Sequence, residues 1–139
     1  MMGNPIILSA ACLLLPILDR PHDGIVSVEV TQAQGELCVR VGNGTADPVR
    51  YGHGNGWIGL PAFHIERENG GRWDYIAAGT FFSGLIEGPP LAAGAIRYHA
   101  VPPRERPTQP ERYRGCLQFF QDDAVTWQEV CSAPFPLPP

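Results

Sequence analysis

The stretch RYRGCLQFFQDDAVTWQEVC, residues 112–131, constrains the fold more than any other part of the chain. Its first half alternates between two sets of side chains, which is the period-two pattern of a half-buried strand. The set expected to face the core contains Tyr113, Leu117 and Phe119. Asp122 and Asp123 then favour a tight turn, because short acidic side chains hydrogen-bond their own backbone. The stretch therefore predicts an antiparallel hairpin.

The same hairpin predicts a disulfide bond. A turn centred between Asp123 and Ala124 places Cys116 directly opposite Cys131. A shift of one residue in the turn would remove this pairing and reverse the faces of the second strand. The expected bond thus depends on the register of the two strands.

Composition extends the β-rich prediction to the whole chain. A length of 139 residues suffices for one domain with its own core, and 44% apolar with 17% charged residues is typical of globular proteins. The 16 glycines and 15 prolines indicate many turns and little helix. Because the net charge is -4, a dominant nucleic-acid surface is disfavoured.

Residues 1–20 form an apolar segment that ends at Asp19 and Arg20. The apolar run is too short to span a bilayer, which needs about 20 such residues, but it is typical of the central region of a secretory signal. We therefore expect export to the periplasm or the extracellular space. Lipid attachment at Cys12 and a retained strand or helix packed on the domain stay open as alternatives.

Further strands are predicted between this segment and the hairpin. Alternating or β-branched residues mark 25–31, 37–41, 49–52 and 96–101, and Asn69-Gly70-Gly71 predicts a tight hairpin turn between 63–68 and 72–76. Residues 77–95 are compatible with a short strand or a packed loop. The expected domain covers residues 24–133, followed by an extended proline-rich tail at 134–139.

Four stretches in sequence order resemble a bacterial immunoglobulin-like domain: LCVRVGNGTADPVRY, FHIERENGGRWDYI, LAAGAIRYHAV and ERYRGCLQF. The resemblance implies an all-β, immunoglobulin-like two-sheet antiparallel sandwich of seven or eight strands. The chain is also similar to the intracellular proteinase inhibitor family of bacilli, in its asparagine-bearing turn and its glycine-led strand. Either family implies an interaction or accessory module, with no catalytic residues to carry over.

Other cysteine pairings remain possible within this fold. Antibody-type sandwiches join their second and penultimate strands through the core, which here would link Cys38 to Cys116. Alternation instead places both residues among polar side chains that should point outward, so we favour Cys116 with Cys131 and expect Cys38 to be unpaired. A third alternative is that all thiols are free in a reducing cell.

Two loops supply the candidate partner-binding residues. The glycine-rich segment GNGWIG, residues 54–59, has the letters of a dinucleotide-binding loop, but a proline follows where a helix would have to begin. We interpret it as a surface loop that displays Tyr51, His53 and Trp57. If the protein is a proteinase inhibitor, the loop at residues 79–90 is the first candidate to face a protease, through Phe81, Phe82 and Leu85.

No metal, cofactor or catalytic site is predicted. His53, His64 and His99 show no metal-ligand spacing, and no carboxylate is expected at a ligand-like offset from them. No nucleophile elbow is present in the sequence. The arginines at positions 97, 104, 106, 112 and 114 are interpreted as a solvated surface neutralised by Glu105 and Glu111, with an anionic partner as the alternative.

The sequence thus predicts a non-catalytic, exported module that binds an unknown protein or cell-envelope partner. Two alternatives belong to other functional classes: a proteinase inhibitor, and a small metal-binding or hydrolytic protein.

Overall fold

The computed structural model describes residues 20–33, 36–51, 63–76, 90–101, 107, 109–121 and 128–137. Nine strands lie in these ranges: β1 Val26–Ala33, β2 Glu36–Asn43, β3 Val49–Arg50, β4 Phe63–Asn69, β5 Arg72–Tyr75, β6 Ile96–Val101, β7 Arg112–Gln121, β8 Gln128–Cys131 and β9 Phe135–Pro136. The described residues contain no helix, and so none that could cross a membrane. The predicted all-β class is confirmed.

The strands form two antiparallel sheets. The smaller sheet has the order β1-β2-β6. The larger one has the order β3-β7-β4-β5, and its long strand β7 also pairs with β8 and β9. Strand β1 contacts β7 and β8, so the two sheets pack together as a sandwich. The larger sheet is therefore organised around β7, the first strand of the predicted hairpin.

Both predicted hairpins are formed, and the hairpin of β7 and β8 has the expected register. Cys116 pairs with Cys131, and this alignment continues to Phe119 opposite Gln128. In the other hairpin, Asn69 pairs with Arg72 across a two-residue turn. The turn glycines have φ values of 60° and 89°, a backbone region that glycine enters without steric cost. Local turn chemistry therefore fixes the pairing of β4 with β5.

The core lies between the sheets and follows the predicted alternation. Tyr113, Leu117 and Phe119 are all buried, as expected from the sequence. The side chains that meet them include Val28, Val39, Val41, Phe63 and Ile65. Gly115 leaves room for this packing, because a Cβ atom there would lie 3.0 Å from Val30 Cγ2 and would collide with the Phe63 ring. The missing side chain thus permits close approach between β1, β4 and β7.

The opposite face of β2 is also buried, which the alternation did not predict. Cys38 is 0% exposed and Arg40 is 2% exposed, although both were expected to point outward into solvent. Arg40 tolerates burial because its guanidinium donates a 2.9 Å hydrogen bond from Nε to Glu29 on the neighbouring strand. Polarity in the sequence marks the face turned away from the core, but it does not ensure that solvent reaches that face.

Cys38 is disulfide-bonded, so the prediction that it is unpaired was wrong. Its partner lies outside the described residues. Cys116 and Cys131 form the predicted second bond, with a Cα–Cα distance of 4.0 Å. No cysteine in the described part of the chain carries a free thiol.

The beginning of the proline-rich tail joins the larger sheet. Phe135 is buried against Tyr113, and Pro136 pairs with Arg112. The side-chain amide of Gln32 on β1 also donates a hydrogen bond to the Pro136 carbonyl. Residues 135–136 therefore contribute to the packing of the domain, beyond the boundary at residue 133 that the sequence suggested.

Candidate functional site

The candidate site is the side of the larger sheet that faces away from the core, which we call the outer face. Side chains on this face form cross-strand rows. Glu66 on β4 lies between Tyr75 on β5 and Arg114 on β7. His64 lies beside Cys116, which in turn lies beside Cys131 on β8. The rows follow from antiparallel pairing, which places side chains of opposed residues on one face.

Arginine–carboxylate pairs run along the outer face. Arg114 donates a 2.7 Å hydrogen bond from Nε to Glu66 Oε1, and its Nη2 atom forms an ion pair with the same oxygen at 2.6 Å. Its guanidinium also lies 4.6 Å from the centre of the Trp73 ring, in cation–π geometry. Arg112 contacts Glu68 at 2.9 Å. These two arginines are thus neutralised, as predicted, but by carboxylates of β4.

The sequence had assigned that neutralising role to Glu105 and Glu111. Glu111 instead contacts Arg67 at 3.6 Å. The pairing of β4 with β7 explains the difference. It places carboxylates of β4 next to the arginines of β7, whereas Glu111, although adjacent to Arg112 in sequence, contacts Arg67. Glu105, Arg104 and Arg106 lie outside the described residues.

His64 is the buried polar centre of the outer face. Its side chain is 3% exposed, its Nε2 atom lies 2.9 Å from Glu66 Oε2, and its ring lies 5.3 Å from the Tyr75 ring. Its other ring nitrogen, Nδ1, is buried and has no hydrogen-bond partner among the described residues. Glu66 therefore orients the imidazole while one ring nitrogen stays unsatisfied.

Two overlapping groups of potential metal ligands share Cys116. In the first, ligand atoms of His64, Glu66 and Cys116 all lie within 4.8 Å of one another. In the second, the same holds for Cys116, Glu129 and Cys131. Both cysteines are oxidised in the disulfide, and a disulfide sulfur is not the thiolate that binds metal ions strongly. In this oxidised form the strong donors are one imidazole and the carboxylates.

Sequence reasoning missed the pairing of His64 with Glu66. The statement that no carboxylate lies at a ligand-like offset from a histidine is wrong here, because the two residues are separated by two positions on one strand and share a face. That spacing was the available signal. The contribution of Cys116 could not be found in this way, since it depends on the register of β4 against β7.

Two aromatic side chains border the outer face on β5, the strand that ends the described order of the larger sheet. Tyr75 is 43% exposed and is one of two large apolar residues with such exposure in the described part of the chain. Trp73 is half-buried and stacks against Arg114. Their separation of two residues places both rings on the same side of β5.

A second polar cluster joins β6 to the residue that follows β3. The Tyr51 hydroxyl lies 2.9 Å from His99 Nε2 and accepts a 3.5 Å hydrogen bond from Arg97. Burial raises the pKa of Tyr51 to about 12, against the opposing effect of Arg97. Burial, aided by the positive charge of Arg97, lowers the pKa of His99 to about 4. The cluster therefore holds a neutral tyrosine and a neutral histidine at pH 7.

The remaining predicted site residues have different outcomes. Tyr51 is 7% exposed and belongs to the core, so its ring is not displayed by a surface loop. His64 and His99 each have their own partner, on different sheets. The other candidates lie outside the described residues: His53, Trp57, Phe81, Phe82 and Leu85.

The outer face combines accessible aromatic rings, paired charges and a disulfide around a buried imidazole. Such a surface can bind a partner by aromatic packing and charge-assisted hydrogen bonds. The chain matches no protein-family model, no curated protein and no solved structure.

Proposed function

We propose that the protein is an exported, non-catalytic immunoglobulin-like module that binds a protein or cell-envelope partner through the β5 side of its outer face. The strand order supports the fold assignment. The observed orders β1-β2-β6 and β5-β4-β7-β8 would correspond to strands A-B-E and C′-C-F-G of an immunoglobulin sandwich.

Oxidised cysteines support export. Cys116 and Cys131 form a bond, and Cys38 is also disulfide-bonded. Structural disulfides persist outside the cytosol, whereas cytosolic thiols are kept reduced. This favours a periplasmic or extracellular location.

The exposed ring of Tyr75 carries the binding part of the proposal. An accessible tyrosine beside a half-buried tryptophan and an arginine gives the residue types that are enriched at the centres of protein interfaces. Tyrosine also supplies a large contact area with few rotatable bonds, so its immobilisation on binding costs little entropy. Because Arg114 is already held by Glu66, this surface is ordered before a partner arrives.

Site-specific photo-crosslinking in the producing cells tests the proposal. A photoreactive phenylalanine derivative replaces Tyr75 in one variant and Arg72 in a matched control. Arg72 is exposed on the same strand, but alternation turns it to the other face. We expect a discrete cross-linked product from position 75 and none from position 72.

Affinity then measures the role of the ring. Once the cross-linked partner is identified, Tyr75→Ala should weaken its binding by 1 kcal/mol or more, about fivefold, as expected for an interface anchor. Arg72→Ala should leave the affinity unchanged. Equal products from both positions, or equal affinities of the two alanine variants, would refute the assignment of this surface.

A further inference from the structure

We propose that reduction of the Cys116–Cys131 disulfide creates a binding site for a zinc-class divalent metal ion at the centre of the outer face. Its ligands are Cys116, Cys131 and Glu129, whose ligand atoms lie within 4.8 Å of one another, and His64, whose ligand atom lies within that distance of Cys116. This inference rests on the arrangement of those side chains and does not depend on partner binding by Tyr75.

The backbone already places the ligand residues together. His64, Cys116 and Cys131 occupy consecutive positions across β4, β7 and β8, so backbone hydrogen bonding keeps them side by side whether or not the sulfurs are bonded. Glu129 lies two residues before Cys131 on the same face of β8, and its carboxylate is within 4.8 Å of both sulfur atoms. Reduction therefore changes the chemistry of the sulfurs without requiring the strands to move apart.

The resulting donor set suits zinc. Two thiolates, one imidazole nitrogen and one carboxylate oxygen give four ligands of the types found in tetrahedral zinc sites. Thiolates also favour zinc over hard cations such as Mg²⁺ and Ca²⁺, which prefer oxygen ligands. The donor types are thus selective for zinc, and the two groups of ligand atoms meet at Cys116.

His64 is prepared for metal binding by its neighbours. Glu66 contacts its Nε2 atom at 2.9 Å, and a hydrogen bond and an ion pair with Arg114 hold that carboxylate in place. This is the arrangement in which an outer carboxylate fixes the ring orientation and tautomer of a metal-binding histidine. The Nδ1 atom is buried without a hydrogen-bond partner, which is costly in free energy, and a bound metal ion would satisfy its lone pair.

The opening reaction needs an external dithiol reductant. Its thiolate attacks the Sγ atom of Cys131, the less buried residue of the two, and the electron pair of the S–S bond leaves on Cys116. The second thiolate of the reductant then displaces Cys131 and completes the reductant's own disulfide. Two electrons and two protons pass to the protein, and the incoming metal ion displaces the protons of both thiols.

Cobalt(II) titration tests the site, because Co²⁺ in a tetrahedral thiolate site has intense visible absorption. The protein is reduced anaerobically with a phosphine, which opens disulfides without offering thiolate ligands of its own. We expect strong cobalt bands and a thiolate-to-cobalt charge-transfer band from the reduced protein, none from the oxidised protein, and loss of the bands when Zn²⁺ is added.

Variants locate the bound ion. Cys116→Ser and Cys131→Ser should abolish the charge-transfer band, His64→Gln and Glu129→Gln should weaken cobalt binding, and Cys38→Ser should retain both. Glu66→Gln should lower the affinity roughly 10- to 100-fold by releasing the imidazole, as for other outer-shell partners.

Three results would overturn the proposal. They are loss of the β-sheet circular dichroism on reduction, cobalt bands that survive in Cys116→Ser, and an affinity unchanged in both His64→Gln and Glu129→Gln. The first would show that the site cannot exist without the disulfide, and the others would place the metal elsewhere.

Discussion

The sharpest test of the packing is the replacement of Gly115 by alanine. A Cβ atom there would lie 2.9 Å from Phe63 Cε2 and 3.0 Å from Val30 Cγ2, and still closer to Phe63 Cζ. Phe63 is 1% exposed and has no empty space at the surface into which it can turn. Either the ring leaves its preferred rotamer or β1 moves away from β7. Such overpacking costs about 1–3 kcal/mol, and contact with two neighbours places Gly115→Ala near 2 kcal/mol.

Urea unfolding followed by tryptophan fluorescence measures this loss. For a slope of about 1.5 kcal/mol per molar urea, a loss of about 2 kcal/mol lowers the midpoint by roughly 1.3 M with the slope unchanged. Phe63→Leu provides the control, because leucine lacks the ring atoms that the new methyl group would meet. The double variant should be more stable than the sum of the single losses predicts, by at least about 0.5 kcal/mol. A Gly115→Ala midpoint equal to that of the parent protein, or strictly additive losses, would refute the proposed contact.

Two further predictions concern the disulfide and a buried histidine. Replacing Cys116 and Cys131 together by alanine should lower the free energy of unfolding by about 3 kcal/mol, since the bond closes a 15-residue loop. Urea unfolding under non-reducing conditions measures this loss, and a midpoint equal to that of the parent protein would contradict it. For His99, burial and Arg97 lower the pKa from 6.5 to about 4, so only the unfolded chain takes up a proton between these values. Stability should therefore be complete above pH 6.5 and should fall by up to roughly 3 kcal/mol as the pH drops to 4. His99→Gln should flatten the dependence of unfolding free energy on pH in this range. The control His22→Gln, at a side chain that is 52% exposed, should leave that dependence unchanged. Equal pH dependence in the two variants would contradict the prediction.

Local sequence patterns predicted much of the fold. Period-two alternation identified the inward side chains of β2 and β7, because a strand turns successive residues to opposite faces wherever it is placed. The Gly70-Gly71 turn sets the register of its hairpin, and the register predicted for β7 against β8 places Cys116 opposite Cys131, as observed. These features depend on interactions between residues close in sequence.

Contacts between distant segments decided the rest. The sequence cannot show that Arg40 and Cys38 are buried. Alternation shows only that they lie on the face of β2 opposite the core residues, and this pattern is the same whether other residues cover that face or solvent reaches it. Nor does the sequence show that Tyr51 reaches His99, because Tyr51 follows a strand of the larger sheet, His99 lies in the smaller sheet, and the two residues are 48 positions apart.

The candidate site divides in the same way. The sequence by itself determined that His64 and Glu66 share one face of a strand and that Cys116 and Cys131 oppose each other in a hairpin, because both relations are local. Only the tertiary structure decided that these two pairs are neighbours. Their contact requires β4 to pair with β7 in one particular register, although the paired residues are separated by nearly 50 positions in the sequence. A shift of one residue would turn His64 into the core and leave the disulfide without an imidazole beside it.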